Sequence, residues 1–234
     1  MQRGHHRDAC CFADEDFQAY GDGLAEALRK SGGALQADGF MTNPVPRLLT
    51  PPRPEAVSPL MSSLGRRDGQ SIDRTYRRSG TLWDSRDKSS QVEADHDLLR
   101  CQRSIELNPV RAGLVDDPAD SRWSSDRANG LGQADALLTP HAGYRALDAD
   151  EVARQVAYRA LFRSELDKEA LADIRLALNQ GQPLGKGRFL ETIEKMTGQR
   201  RGVRPRGRPR KEKPAEGDRD TLQPPSHQRR LFHG

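Results

Sequence analysis

At 234 residues the chain is long enough for one core domain and a smaller annex. No apolar run approaches the roughly 20 residues of a spanning helix and no apolar stretch follows the basic residues of MQRGHHRDACCF, so no membrane partner is expected and the protein is read as cytoplasmic. Net charge is only +4, but Arg200, Arg201, Arg204, Arg206, Arg208, Arg210, Lys211 and Lys213 oppose the single acid Glu212, and such a basic block favours a nucleic-acid partner.

In chain order, residues 14–31 predict an amphipathic helix: Asp14 suits an N-cap, Phe17, Tyr20, Leu24 and Leu28 recur at helical spacing, and Gly32 and Gly33 stop it. Gly21 and Gly23 weaken it by about 1 kcal/mol each. Residues 35–41 and 47–50 predict two strands joined at Thr42 and Asn43 in a hairpin-like unit. A helix over 55–78 follows, with Val57, Leu60, Leu64, Ile72 and Tyr76 on its inner stripe and Asp68 as a defect in that stripe. Leu82 and Trp83 begin a short extended segment, and 95–106 predicts a third helix ended by Asn108 and Pro109.

Beyond residue 120 the chain changes character. Residues 149–163, 168–179 and 187–197 predict three short helices separated by Gly and Pro breaks, and 198–234, rich in Pro, Arg, Lys, Gln and Asp, predicts disorder. The expected organisation is a core over 1–120, a helical annex over 121–197 and a disordered basic tail over 198–234. The break at 179–187 exceeds the roughly 3 to 4 residue turn of a helix-turn-helix, which argues against that motif. Cys10, Cys11 and Cys101 suit neither a disulfide framework nor paired CxxC zinc spacing, and His5, His6, His96 and His141 are scattered.

The segments QRGHHRDACCFADEDFQAY, MTNPVPRLLTPPRPEAV, SLGRR, SIDRTYRRSGTLWDSR, LLRCQRSIELNPVRAGLV, RWSS and ALNQGQPLG resemble the REP-associated tyrosine transposases, bacterial single-strand DNA transposases of the HUH class. IELNPVRAGLV, residues 105–115, is the most specific of them. The resemblance implies an α+β fold with a ferredoxin-like four-stranded antiparallel sheet and helices on one side. It also implies cleavage and joining of single strands at hairpins of palindromic repeat DNA. Family members begin with a strand before the QRG-like segment, so the first strand is expected to be largely missing here.

HUH enzymes carry His, a hydrophobic residue and His on a central strand, where period-2 geometry sends both imidazoles to one face to bind Mg or Mn. The matching residues are Pro44, Val45 and Pro46, which offer no ligand atom, so no metal and no cofactor is expected in this copy. The family's tyrosine nucleophile, which forms a phosphotyrosine intermediate, corresponds to Ser104. The chain thus resembles an enzyme that lacks its His pair and its tyrosine. Arg100 shares the helical face of Ser104, Arg103 is adjacent and Arg111 follows in the same motif, so a phosphate-holding surface is one reading and a plain solvated face the other.

Asp68, Ser71, Asp87, Asp97, Ser104, Ser121 and Asp126 all stand where the family pattern has tyrosine. Tyr to Asp, Tyr to Ser and His to Pro each need one base change of a single type, A to C or its complement. Gly33, Gly39 and Arg47 fit the same rule if their counterparts are cysteine, valine and leucine. One mutational signature across core and site points to a decayed or misread copy.

The alternative reading is a non-enzymatic DNA-binding protein. RPRGRPRK, with Arg204, Arg206, Gly207, Arg208, Arg210 and Lys211, has the Arg-Gly-Arg-Pro centre of an AT-hook, whose arginines enter a narrow A·T-rich minor groove. The expected DNA partner is therefore a single-stranded hairpin or an A·T-rich duplex.

Overall fold

The computed structural model describes residues 1–198 apart from 6–7, 43–45, 85–86 and 164–167. The chain separates into two compact units, Met1–Gly202 and Val203–Gly234, and the described residues belong to the first. The expected tail, including Arg204, Arg206, Gly207, Arg208, Arg210 and Lys211, and Pro44 of the metal position lie outside the described residues.

Helix α1 (Asp14–Ser31) buries Tyr20, Leu24, Ala27 and Leu28 and ends at Gly32 in the left-handed region, as the sequence pattern predicts. Its start differs: Asp14 is the first helical residue, and the cap is made by Asp16, whose carboxylate accepts from the backbone N–H of Phe12 at 2.8 Å and of Ala13 at 3.0 Å. A single 3-10 turn, Pro54–Ala56, leads into α2 (Val57–Tyr76), which packs on α1. Gly23 faces this contact, where a Cβ would meet Leu64 Cδ1 at an ordinary van der Waals distance of 3.4 Å.

The strands β1 (Ala34–Asp38) and β2 (Arg47–Thr50) pair antiparallel. A bulge at Gln36 separates the pairs Leu35↔Leu49 and Ala37↔Leu48. The extra residue sends Leu35 and Ala37 to opposite faces, though alternation alone would put them on one. Leu35 and Leu49 join the core of α1 and α2 with Leu60, Leu64, Ile72 and Trp83. Ala37 and Leu48 join a second core with Leu98, Cys101 and Ile105 of α3 (Ala94–Glu106) and Ile174.

The α+β class is therefore present, with helices on both faces of the hairpin and not on one side as expected. With a core on each face, β1 is buried at every position from Leu35 to Asp38. Its free edge is closed by the segment after α3: Phe40 N–H donates to Trp123 O at 2.7 Å, Ser125 N–H to Asp38 O at 3.2 Å and Thr139 N–H to Leu35 O at 2.7 Å. Among the described residues the sheet has two strands, and isolated bridges such as Gly4↔Trp83 extend the pattern, the latter at the predicted Leu82 and Trp83 segment.

After α3, Leu107 links directly to α4 (Asn108–Arg111), with Pro109 in its first turn, where proline's missing N–H costs nothing. Short helices α5 (Asp126–Leu131) and α6 (Ala142–Arg145) precede α7 (Glu151–Arg163), α8 (Lys168–Gln180) and α9 (Gly187–Thr197), which match the three annex helices predicted within two residues at each end. The expected boundary near residue 120 is crossed by the bonds of Ser125 to Asp38 and of Trp123 to Phe40, so these residues pack as part of the same unit. No helix among the described residues is long and apolar enough to cross a membrane.

Candidate functional site

Helix α3 packs across both strands and carries Ser104, the residue that the resemblance sets at the nucleophile position. Its inner stripe is Leu98, Cys101 and Ile105, and the adjoining residues Ser104 and Glu106 are buried with it. Gly39 lets β1's extension reach the end of α3, since a Cβ there would stand 3.0 Å from Ile105 O.

Ser104 lies on α3 with its backbone carbonyl taken by Arg111 Nη2. Among the described residues its hydroxyl has one partner, the same Arg111 Nη2 at 3.4 Å, which also donates to Asn108 Oδ1 at 2.7 Å. A guanidinium accepts no proton, so nothing at Ser104 Oγ can act as a general base. Pro46 is buried just before β2 and offers no donor atom. Among the described residues no group of three or more His, Cys, Asp or Glu could hold a metal ion. His5 pairs instead with Asp84 at 3.6 Å, and His141 Nδ1 accepts from Gly143 N–H at the start of α6.

The three arginines expected to form one phosphate-holding surface are divided by the fold. Arg100 is exposed and pairs with Asp97 at 3.3 Å. Arg103 is buried, its guanidinium 5.7 Å from the centre of the Phe162 ring of α7, and burial lowers its pKa. Arg111 holds the end of α3. Only Arg100 of the three is both exposed and free of a structural duty at a helix end or under an aromatic ring.

Two residues from Ser104, Glu106 is wholly buried and fully engaged. Its Oε1 accepts from Ser125 Oγ at 2.6 Å and Asn129 Nδ2 at 2.8 Å, and its Oε2 accepts from the Tyr158 phenol. Asn129 Nδ2 also reaches Gln36 O of the bulge at 3.1 Å, and Tyr144 donates to Asn129 O at 2.6 Å. Burial raises the carboxyl to about 7 although all three donors favour the charged form. Asp38 of β1 is buried beside it and is pushed up to about 8, first by burial, then by the charges of Asp135 and Glu106. Asp126, also fully buried, rises to about 6 by burial against the opposing pull of Arg159, which bridges it at 3.0 Å to Asp117 at 2.9 Å.

Polar residues elsewhere in the core are accommodated in more than one way. Asp68, expected as a defect, faces inward on α2 and accepts from Trp83 Nε1 at 2.8 Å, while burial raises it to about 7. Arg47, next to Pro46, lies over the Tyr20 ring at 4.9 Å and donates to Gln2 Oε1 at 3.2 Å. Burial lowers Arg47 to about 10, and its Nε and Nη2 have no hydrogen-bond partner among the described residues. The three cysteines are free and buried, each pushed up to about 12 chiefly by burial, which makes them inert thiols.

Compared with known proteins, the chain matches no family model, no curated protein and no solved structure. The Glu106 junction was not read from the sequence, because its partners lie 19, 23 and 52 residues away. One signal did point there: a glutamate adjoining the apolar stripe of α3, in the segment IELNPV.

Proposed function

We propose that this chain is a cytoplasmic DNA-binding protein of transposase descent, related to the REP-associated tyrosine transposases and catalytically silent. In its lineage a ferredoxin-like core binds hairpins of palindromic DNA and cleaves and rejoins single strands. The observation that carries the silent part is the Ser104 site, where the hydroxyl meets an arginine and the ligand position at Pro46 has no donor. The lineage part is supported by the meeting of two separate segments of the resemblance, IELNPVRAGLV and RWSS, at the Glu106 and Ser125 hydrogen bond. DNA is the partner favoured by the arginines of residues 200–213.

The test incubates the full chain with a labelled hairpin oligonucleotide bearing a single-stranded flank, with Mg or Mn. The expected result is binding that weakens steeply between about 50 and 200 mM salt, as when several phosphates are neutralised, with no covalent adduct. A covalent adduct overturns the silent reading, and absence of salt-dependent binding overturns the DNA reading. The AT-hook alternative is favoured if an A·T-rich duplex outcompetes both the hairpin and a G·C-rich duplex at equal salt.

A further inference from the structure

The C-terminal end of α2 carries a feature that neither the core nor the Ser104 site uses. Tyr76, expected on the inner stripe, is 38% exposed, and beside it Phe12 is 52% exposed. Their ring centroids are 5.0 Å apart at 58°, and the Arg78 guanidinium lies 5.8 Å from the Phe12 centroid. Arg74 and Arg77 are exposed on the same turn of chain.

Large aromatic rings at the surface lose the burial that makes them worth keeping, so an adjacent exposed pair under an arginine is a feature that marks contact with something. The surroundings narrow its chemistry. Asp16 accepts from the Tyr76 phenol at 2.7 Å and from the Phe12 and Ala13 amides, so this carboxylate is committed to holding the rings. The same hydrogen bond, with a smaller contribution from burial, pushes the Tyr76 phenol up to about 12, which keeps it neutral and oriented. Around the rings Arg74, Arg77 and Arg78 supply the positive charge, beside the acids Glu15 and Asp73.

Arg77 adds a second, independent observation. It caps α2 at φ 51°, the one non-glycine residue with positive φ among the described residues. Its N–H and that of Arg78 both return to Asp73 O, closing the helix where glycine is the usual solution. A left-handed arginine costs about 1 to 2 kcal/mol that glycine would not, and such strain concentrates at binding positions.

We propose that Phe12 and Tyr76, with Arg74, Arg77 and Arg78, form a stacking ledge for an unpaired base of single-stranded DNA. The rings offer a π surface to the base and the arginines hold the flanking phosphates, a combination that reads strandedness and not sequence. The proposal rests on the DNA-binding reading above but needs no metal and no nucleophile. It assigns single-strand preference to a surface remote in sequence from residues 200–213, whose charges serve duplex and single strand alike.

The experiment measures binding of the full chain to labelled oligothymidine of about 15 nucleotides, to a duplex of equal length and to the flanked hairpin, at roughly 100 mM salt. Phe12→Ala is expected to weaken oligothymidine binding about 5- to 150-fold, the span of one base-aromatic stack, and to leave the duplex unchanged within about twofold. Phe12→Trp should restore single-strand affinity and show indole quenching on binding. Arg77→Gly should raise the thermal midpoint while lowering oligothymidine affinity, an opposition that a purely structural role does not produce. Phe12→Ala with unchanged oligothymidine affinity, or with equal loss on the duplex, overturns the ledge even where the hairpin still binds. Failure of the unaltered chain to bind any of the three DNAs overturns both this proposal and the functional reading beneath it.

Discussion

Ser104 and Glu106 sit two positions apart on α3, yet their surroundings have opposite character. Among the described residues the serine hydroxyl has a single long contact, to a cation that cannot activate it, whereas the glutamate accepts from donors of α5, α7 and the turn before α5. The difference separates two demands on one helix. Chemistry at Ser104 would need a base or a metal beside its hydroxyl, while the junction at Glu106 needs only a carboxylate with matched donors, and it has three. Packing and reactivity therefore make separate demands on this helix.

The strongest way to break that contrast is to remove the junction. Glu106→Ala strands the hydroxyl of Ser125, the amide of Asn129 and the phenol of Tyr158 in a buried cavity, and should lower stability by about 3 to 5 kcal/mol in chemical denaturation. Glu106→Gln keeps the volume and an acceptor and should lose less than half as much. Equal losses in the two variants would show that charge, not hydrogen bonding, holds the junction.

A gentler probe is pH. Asp126, Glu106, Asp68 and Asp38 hold their protons up to about 6, 7, 7 and 8 when folded, whereas unfolded carboxyls release theirs near pH 4. The folded state thus binds more protons across this window. Its stability from these groups is fully present below about pH 4 and is lost as pH rises through their folded values. Asp117, lowered by its bond to Arg159, works in the opposite sense and matters only on the acid side. The thermal midpoint should fall from about pH 5 to pH 9, and Asp38→Asn should flatten the upper part of that fall. A midpoint that rises over the same range would contradict the burial of these carboxyls.

The smallest effect belongs to Ser104. Ser104→Ala gives up one hydrogen bond of 3.4 Å and should shift stability by no more than about 0.5 kcal/mol, with hairpin binding unchanged. Loss of binding in this variant would place function at Ser104 and erase the contrast with Glu106.

Much of the architecture was legible because long helices write a period. Tyr20, Leu24 and Leu28, or Leu60, Leu64 and Ile72, repeat often enough to place α1 and α2, and the same holds for α3 and α7 to α9. Helices α4, α5 and α6 have 4, 6 and 4 residues, too few for a period to declare itself. The bulge at Gln36 was invisible because the strand pattern assumes strict alternation. Asp68 read as a fault because nothing local reveals the Trp83 indole that satisfies it. At the candidate site, Pro46 and Ser104 could be judged by their missing atoms alone. The division of Arg100, Arg103 and Arg111 could not, since it depends on Phe162 and on the turn at Asn108.

The Glu106 junction also has a clock in it. Tyr158 is synthesised 52 residues after Glu106, which at roughly 5 to 20 residues per second is about 3 to 10 s. Throughout that interval a nascent chain can fold α1, α2 and the hairpin, yet it leaves α3's carboxylate without its last donor and one side of the second core without Ile174. The junction thus cannot be completed until α7 has followed α3 in synthesis.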